Sequence, residues 1–409
     1  MHIDRLAARS ILDTRGRPTV ETTLHSGALS ATASVPSGKS TGSHEACELR
    51  DIDGDVMQAI ENVNDEIASA LINRDFSSLD ELDTFLIKLD GTQDKSRLGA
   101  NAILSVSIAA MRLSALQDGI PLWKAIAKRA GTAPGAPRLY VNMMNGGVHA
   151  DFKLPFQEYM LVVEGKTSTA LPVAQKAFIK LGKMFGSETT MGDEGGYAPA
   201  FNTLERPFEL LAELVKEFPN TSIAIDAAAS ELFHDGTYQL LGKSYSADAL
   251  ATLYRELVER FPIRSIEDPY DENAHDDFTR LTMTLGGPSN PFGAGKILIV
   301  GDDLTVTNPT RIADSEKHKE INTVLIKPNQ IGTVLEAIKA VQKTYAAGFK
   351  AIASHRSGET DDTFIADFAY GVGAYGIKAG GLGQRERVGK YNRLLAIEHE
   401  AESMYLVTH

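Results

Sequence analysis

IAID (223–226) is the first of six short apolar runs that each stop at one charged or imidazole side chain. The others are RSIE (264–267), ILIVGD (297–302), VLIK (324–327), AIASH (351–355) and YGIK (375–378). Continuous apolar runs of this length are typical of strands buried on both faces of a parallel sheet, and the stretches between them can hold crossover helices. We therefore predict a parallel α/β barrel or an open α/β sheet, and the size of the region favours the barrel.

The six terminal side chains are predicted to meet in one pocket, because ligands bind at the carboxyl ends of strands in both architectures. Asp226, Glu267 and Asp302 end three successive runs. Three hard oxygen ligands at one mouth suit Mg²⁺. In the alternative interpretation these acids cap the following helices or pair with nearby Lys and Arg.

Lys327 and Lys378 end two later runs. Burial and mutual repulsion predict that the pKa of one of them is lowered, which gives a neutral amine able to act as a general base near pH 7. The alternative is that each lysine only neutralises the acids.

A second carboxyl pair is predicted from two other motifs. MGDEGG (191–196) places Glu194 between glycines that allow a sharp turn toward a ligand. Gln157 and Glu158 follow another apolar stretch. Together the two carboxyl groups can supply a general acid and its support. The alternative is a turn that happens to carry acids.

SHRSGE (354–359) predicts an anion site. Its Arg356 and Ser357 precede a helical run, so a phosphate or carboxylate can bind them with help from the helix N-terminus. Helix capping by Ser357 is the structural alternative, and it is compatible with anion binding.

The composition limits the class of protein. The chain has 409 residues, a formal charge of -13, 43% apolar residues and one cysteine, Cys47. The negative charge argues against a nucleic-acid surface, and a single cysteine fits a reducing compartment. The opening MHIDRLAARS lacks the apolar core typical of a signal peptide, and no stretch approaches the roughly 18 apolar residues of a membrane helix. We interpret the protein as cytoplasmic, with no membrane partner.

The first part of the chain has a different pattern. Strand-like alternation near 18–24 and 31–35 is followed by helical patterns at 57–86 and 101–116. AGTAPGAPR (130–138) concentrates Pro and Gly, which marks a boundary. We predict an α+β domain at residues 1–132 and an α/β barrel at 138–409.

The chain resembles the enolase family over almost its entire length. The matching segments are ILDTRGRPTVE (11–21), VPSG and STG around Ser40, GANAILSVS (99–107), NGG and HA around His149, GDEGGYAP (192–199), SIEDP (265–269), VGDDLTVTNP (300–309), KPNQIG (327–332), SHRSGETDDTFIAD (354–367) and KYN (390–392). The resemblance implies a small N-terminal α+β capping domain with a mobile loop at 36–44, followed by an eight-stranded α/β barrel.

The resemblance also implies a function: magnesium-dependent dehydration of 2-phosphoglycerate to phosphoenolpyruvate, a step of glycolysis, by a homodimer or dimer-based oligomer. It implies that two Mg²⁺ bind in each active site, the first to Asp226, Glu267 and Asp302 and the second to Ser40. Lys327 is the implied base and Glu194 the implied acid. The remaining implied site residues are Glu158 and His149 on the leaving-group side, His355, Arg356 and Ser357 at the phosphate, Lys378 at the carboxylate, and Gln157 beside Glu158.

The chain departs from the family pattern around the site. Lys39 stands where a small residue is usual, Val148 replaces a serine beside the histidine, and Ala379 and Gln384 follow the last strand. Ala396 replaces an arginine that pairs with the acid equivalent to Glu21 across the family's dimer interface, so that contact is lost.

Two other functions fit these departures. One is an enolase-like lyase on a related phospho- or phosphono-2-hydroxy acid, such as a carboxyphosphonoenolpyruvate synthase, in which Lys39 binds an extra anionic group. The other is a non-catalytic scaffold, against which the intact Lys327 and Glu194 argue.

Overall fold

The computed structural model describes residues 1–39, 42–186, 189–287 and 297–408. The N-terminal part is an antiparallel sheet of three strands in the order β1-β2-β3, covered by helices. The strands are β1 (Arg5–Leu12), β2 (Pro18–Ser26) and β3 (Leu29–Ser34), and the helices are α1 (Met57–Asn62), α2 (Ala68–Leu71), α3 (Leu79–Asp90), α4 (Ala100–Asp118) and α5 (Leu122–Ala130). A π-helical turn, Val63–Ile67, joins α1 to α2.

The helical stretch predicted over 57–86 is divided into separate helices. The chain leaves the helix after Leu71, passes through Asn73 at a φ of 61°, and starts α3 at Leu79. Ser78 caps the new helix, because its hydroxyl accepts a hydrogen bond of 3.1 Å from the backbone N–H of Glu81. The sequence pattern also missed β1, whose side chains are mostly exposed and therefore lack alternation.

Helix α4 forms the centre of the N-terminal part and packs against β2 and β3. Within the described residues it is the one helix long and apolar enough to cross a membrane. Of its apolar stretch, 78% is buried inside the molecule. That burial is typical of a core helix.

The second part is a closed barrel of eight strands, as predicted. The strands follow each other around the barrel in the order β10-β11-β12-β13-β14-β4-β5-β6. They are β4 (Arg138–Asn145), β5 (Glu158–Val163), β6 (Thr221–Asp226), β10 (Ile263–Glu267), β11 (Leu298–Gly301), β12 (Thr323–Ile326), β13 (Lys350–Ser354) and β14 (Gly376–Lys378). A small hairpin sheet beside the barrel contains β7 (Phe233–His234), β8 (Thr237–Leu240) and β9 (Lys243–Tyr245).

The expectation that every barrel strand is parallel is wrong for β5. This strand pairs antiparallel with both β4 and β6. Its first residue, Glu158, pairs with the last residue of β6, Asp226. The reversal therefore places the beginning of β5 at the same mouth as the ends of the other strands.

The connecting segments of the barrel are helical. The helices are α6 (Thr167–Phe185), α7 (Arg206–Glu217), α8 (Ala247–Arg260), α9 (His275–Leu281), α10 (Pro309–His318), α11 (Val334–Ala346), α12 (Phe364–Gly371) and α13 (Arg385–Thr408). The predicted domain boundary between residues 132 and 138 stays a prediction.

Strand alternation explains which side chains point into the barrel. A separate apolar cluster contains Tyr140, Met160, Val162, Ala224, Leu298, Val300, Leu325 and Ile352. These residues share one parity along their strands, as inward-facing barrel residues do. The residues two positions after Ala224, Val300 and Leu325 are Asp226, Asp302 and Lys327, which therefore point to the same side as the inward-facing residues. The interior of the barrel therefore ends in charged groups at the mouth.

Candidate active site

The mouth of the barrel is a polar pocket. Most of the residues predicted from the sequence line it, together with four that were not predicted, Ala228, Asp268, Asp303 and Ser354. The lining residues are His149, Gln157, Glu158, Glu194, Asp226, Ala228, Asp268, Asp302, Asp303, Lys327, Ser354, His355, Arg356, Ser357 and Lys378.

Lys378 lies at the centre of an acidic ring. Its Nζ is 2.8 Å from Glu158 Oε1, 3.0 Å from Asp226 Oδ2 and 2.8 Å from Glu267 Oε1. Burial favours the neutral amine, but the surrounding carboxylates outweigh it and hold the pKa of Lys378 well above its usual value. The lysine is therefore an ammonium in this arrangement.

The prediction that one of the two lysines has a lowered pKa is wrong. Lys327 pairs directly with Asp302. Burial opposes the charge on Lys327, yet Asp302 raises its pKa. In the folded chain each lysine contacts a carboxylate directly, and this attraction outweighs burial and the repulsion between the lysines.

The acids at this side of the mouth fit a hard divalent cation. Oxygens of Asp268, Asp302 and Asp303 all lie within 4.8 Å of one another. Burial and the neighbouring carboxylates raise the pKa of Asp268, Asp303 and Glu267 well above their usual values. A cation would relieve this repulsion, and oxygen donors are what Mg²⁺ prefers.

The loop that carries Asp302 is held rigidly. The Asp268 carboxylate accepts hydrogen bonds from the backbone N–H groups of Asp302 and Asp303, at 2.9 and 2.8 Å. Gln330 Nε2 donates to Asp302 Oδ1 at 2.8 Å. Asp268 is therefore an organising residue that the sequence analysis missed, although it follows Glu267 in the quoted SIEDP motif.

Glu158 and Glu194 form the predicted second carboxyl pair. Asn142 Nδ2 donates to both, at 3.0 Å to Glu158 and 3.2 Å to Glu194. Burial and then Glu194 raise the pKa of Glu158 well above its usual value. Burial also raises the pKa of Glu194, but the nearby His149, His355 and Arg387 outweigh burial and hold this pKa well below its usual value. The two pKa values therefore move apart, and the proton that the pair retains lies on Glu158.

His149 joins this pair from a short helical turn. Its Nε2 lies 3.4 Å from Glu194 Oε1, and its Nδ1 lies 3.7 Å from Asp193 Oδ2. The Asp193 carboxylate also contacts Lys39, whose Nζ is 2.7 Å from the same oxygen. Gly195, directly after the acid, has a φ of 75°, a conformation that glycine adopts without strain.

The predicted anion site contains two residues from the N-terminal part of the chain. Glu45 accepts two hydrogen bonds from the Arg356 guanidinium, at 2.8 and 3.0 Å. Arg15 Nη1 donates to the Ser357 hydroxyl at 3.2 Å. Neither Glu45 nor Arg15 was predicted, because their sequence distance from Arg356 hides the contact.

His355 is a buried residue in the wall of the pocket. Its ring contacts the Arg387 guanidinium, and burial first, then Arg387, lowers its pKa well below the usual value. The imidazole is therefore neutral. Gln157 Nε2 donates to Asp226 Oδ2 at 3.2 Å. Ser40, the predicted ligand of a second cation, lies outside the described residues.

Comparison with known proteins decides the family. Residues 136–406 match the model described as the enolase C-terminal TIM barrel domain, and residues 3–126 match the enolase N-terminal domain. The chain belongs to the enolase family. An enolase of Thermococcus gammatolerans is 42% identical over an alignment of 422 residues. The alignment covers 98% of this chain and 96% of that protein.

Membership of the enolase family confirms the predicted α/β barrel with an N-terminal α+β part, and it indicates a carbon-oxygen lyase. The structure brings the predicted enolase site residues together at one mouth, apart from Ser40. Their individual roles stay predictions.

Proposed function

We propose that this chain interconverts 2-phosphoglycerate and phosphoenolpyruvate with Mg²⁺, as an enolase of glycolysis and gluconeogenesis in the cytoplasm. One observation carries the proposal: a largely buried lysine, a pair of buried carboxyl groups and a row of acids face the same pocket. Dehydration beside a carboxylate requires these three elements, namely a base, an acid and stabilisation of charge.

Lys327 is the proposed base, and it removes the proton from C2 of the substrate. It follows β12, across the mouth from the Glu158–Glu194 pair, which is carried by β5 and the loop after α6. Opposite placement suits removal of a proton at one carbon and protonation of a hydroxyl at the next. Glu194 is the proposed acid for the 3-hydroxyl, and Glu158, the member of the pair with the raised pKa, is the proposed source of its proton.

Asp226, Glu267 and Asp302 are the proposed ligands of the first Mg²⁺, and Ser40 is the proposed ligand of the second. Mg²⁺ held by these residues would neutralise the acids and stabilise the charge that develops on the substrate carboxylate, and the neutralised acids would no longer raise the pKa of Lys327. Asp268 acts on this site by holding the backbone of Asp302.

Arg356 and Ser357 are the proposed phosphate ligands. Both Nη atoms of Arg356 bind Glu45 in this structure, so a bound phosphate would share the guanidinium with Glu45 or displace that carboxylate. Lys378, which the acids hold as an ammonium, is the proposed partner of the substrate carboxylate. Positive charge at both ends of the pocket matches a small phosphorylated acid.

We propose that the enolase is a homodimer or a dimer-based oligomer. Glu21, whose counterpart in the family pairs with an arginine across the dimer interface, here pairs with Arg9 of its own chain at 2.6 Å. Size-exclusion chromatography with light scattering measures the mass directly. A dimer peak supports the proposal, and a monomer at all concentrations contradicts it.

The test of function is formation of phosphoenolpyruvate from 2-phosphoglycerate, followed by ultraviolet absorbance with and without Mg²⁺. We expect magnesium-dependent turnover. Negligible turnover by well-folded, magnesium-loaded protein contradicts the proposal. Phosphonate-containing 2-hydroxy acids, assayed in parallel, test the alternative substrate class.

A further inference from the structure

Lys39 connects three parts of the chain that are distant in sequence. Its Nζ donates to the backbone oxygen of Val148 and to Asp193 Oδ2, both at 2.7 Å. Lys39 belongs to the N-terminal part, Val148 to the helical turn Gly147–Ala150, and Asp193 to the loop that carries Glu194. One ammonium group therefore ties the N-terminal part to both loops of the leaving-group side.

The backbone of Asp193 is fixed independently of Lys39. Its carbonyl oxygen accepts hydrogen bonds from Gln384 Nε2 at 3.1 Å and from Arg387 Nη2 at 3.0 Å. Its N–H donates to the carbonyl oxygen of His149 at 3.2 Å. With the backbone held on both sides, the remaining freedom of Asp193 is rotation of its carboxylate, and Lys39 is the group that restrains this rotation.

His149 is sensitive to where that carboxylate points. Its Nδ1 is buried, has no hydrogen-bond partner in the described part of the chain, and lies 3.7 Å from the oxygen that Lys39 binds. Its Nε2 faces Glu194 at 3.4 Å. If the carboxylate rotated toward Nδ1, a buried hydrogen bond would form there, and the ring would turn relative to Glu194.

We propose that Lys39 is a positioning residue, which holds the Asp193 carboxylate and thereby keeps the His149 imidazole directed at Glu194. The inference rests on the proposed function, in which Glu194 protonates the leaving group. Because the side chains of Lys39 and Asp193 are 37% and 32% exposed, solvent weakens their ion pair, and we expect an effect of about three- to tenfold.

Kinetics can distinguish a positioning role of Lys39 from direct binding of the substrate by Lys39. A residue that positions the acid changes the chemical step and therefore kcat, whereas a residue that binds an anionic group of the substrate changes KM. Lys39→Met removes the ammonium and keeps the length of the side chain. Lys39→Arg keeps the charge, and Lys153→Met is the matched control, since Lys153 is exposed on the neighbouring loop.

For Lys39→Met we expect kcat with 2-phosphoglycerate to fall about three- to tenfold while KM changes less than about twofold. Lys39→Arg should restore most of kcat, and Lys153→Met should behave as wild type. In an Asp193→Asn background, Lys39→Met should cause little further loss, because the two residues act through one contact. A rise in KM that persists in that background assigns Lys39 to substrate binding and overturns the inference.

A second measurement does not depend on turnover. Hydrogen exchange of the free protein, followed by mass spectrometry, should show faster exchange in the peptides covering 147–152 and 190–196 for Lys39→Met than for wild type or Lys153→Met. Unchanged exchange in both peptides overturns the inference. If Lys39→Met exchanges faster than wild type but wild type has no turnover, the result contradicts the proposed function and leaves the inference about Lys39 intact.

Discussion

The two sides of the pocket are built differently. On one side, Asp226, Glu267 and Lys378 stand at the ends of barrel strands, and the Lys378 ammonium lies within 3.0 Å of both carboxylates. On the other side, Lys39 and Asp193 come from loops, and both side chains are about one-third exposed. The strand-end side is positioned by the sheet, whereas the loop side depends on contacts between distant segments.

This difference determines how large an effect each substitution should have. A charge on the strand-end side has several buried partners, so removal of one member leaves the others uncompensated. A charge on the loop side is screened by water and has fewer partners. The predictions below test this ranking.

The largest effect is expected for Lys327→Ala. Loss of the general base should reduce kcat about 10²- to 10⁴-fold. Steady-state kinetics with 2-phosphoglycerate measures the loss, and Lys317→Ala, at an exposed position on helix α10, is the control. Activity within a few-fold of wild type would remove Lys327 from the role of base.

Asp302→Asn should weaken binding of Mg²⁺ by about 100-fold or more, because a ligand contributes at least as much as its outer partners, whose loss costs 10- to 100-fold. Isothermal titration calorimetry with MgCl₂ measures the affinity. Exposed Asp314→Asn provides the control. Unchanged affinity for Mg²⁺ in the Asp302 variant would place the metal elsewhere.

Arg356→Lys should raise the KM for 2-phosphoglycerate by about tenfold or more, since lysine cannot form the bidentate contact and loses a charge-assisted hydrogen bond. The measurement is the substrate dependence of the initial rate. Arg385→Lys, with an exposed side chain, is the matched control. A KM equal to that of wild type would separate Arg356 from the phosphate.

The smallest effect is on stability, for Gly195→Ala. The φ of 75° and a distance of only 3.3 Å from a new Cβ to Gln384 N predict a loss of about 1–2 kcal/mol in the free energy of unfolding. Urea denaturation measures it. Gly389→Ala, which meets no atom within 4 Å, should not destabilise. Equal stability of both variants would show that the loop beside Glu194 accommodates a side chain.

The strand-end side could be predicted from the sequence because two periodicities determine it. Apolar runs locate the strands, and alternation along each strand places Asp226, Asp302 and Lys327 at the mouth. The reversal of β5 was not visible, since an antiparallel strand buried on both faces has the same composition as a parallel one.

The loop side could be predicted only as a set of candidate residues. Pairing of Arg356 with Glu45, and of Lys39 with Asp193, joins residues 311 and 154 positions apart. No local pattern encodes such contacts. The charge state of the lysines was also missed, because the balance between desolvation and neighbouring carboxylates depends on distances that the sequence does not contain.

The most direct test of the division between base and acid is exchange of the C2 proton of 2-phosphoglycerate with deuterium in D₂O, measured by NMR for two variants with Mg²⁺ present. Glu194→Gln should retain exchange while it fails to form phosphoenolpyruvate, because Lys327 still removes the proton. Lys327→Ala should lose both. Exchange that survives in Lys327→Ala, or that disappears in Glu194→Gln alone, would contradict the assignment of Lys327 as base and Glu194 as acid.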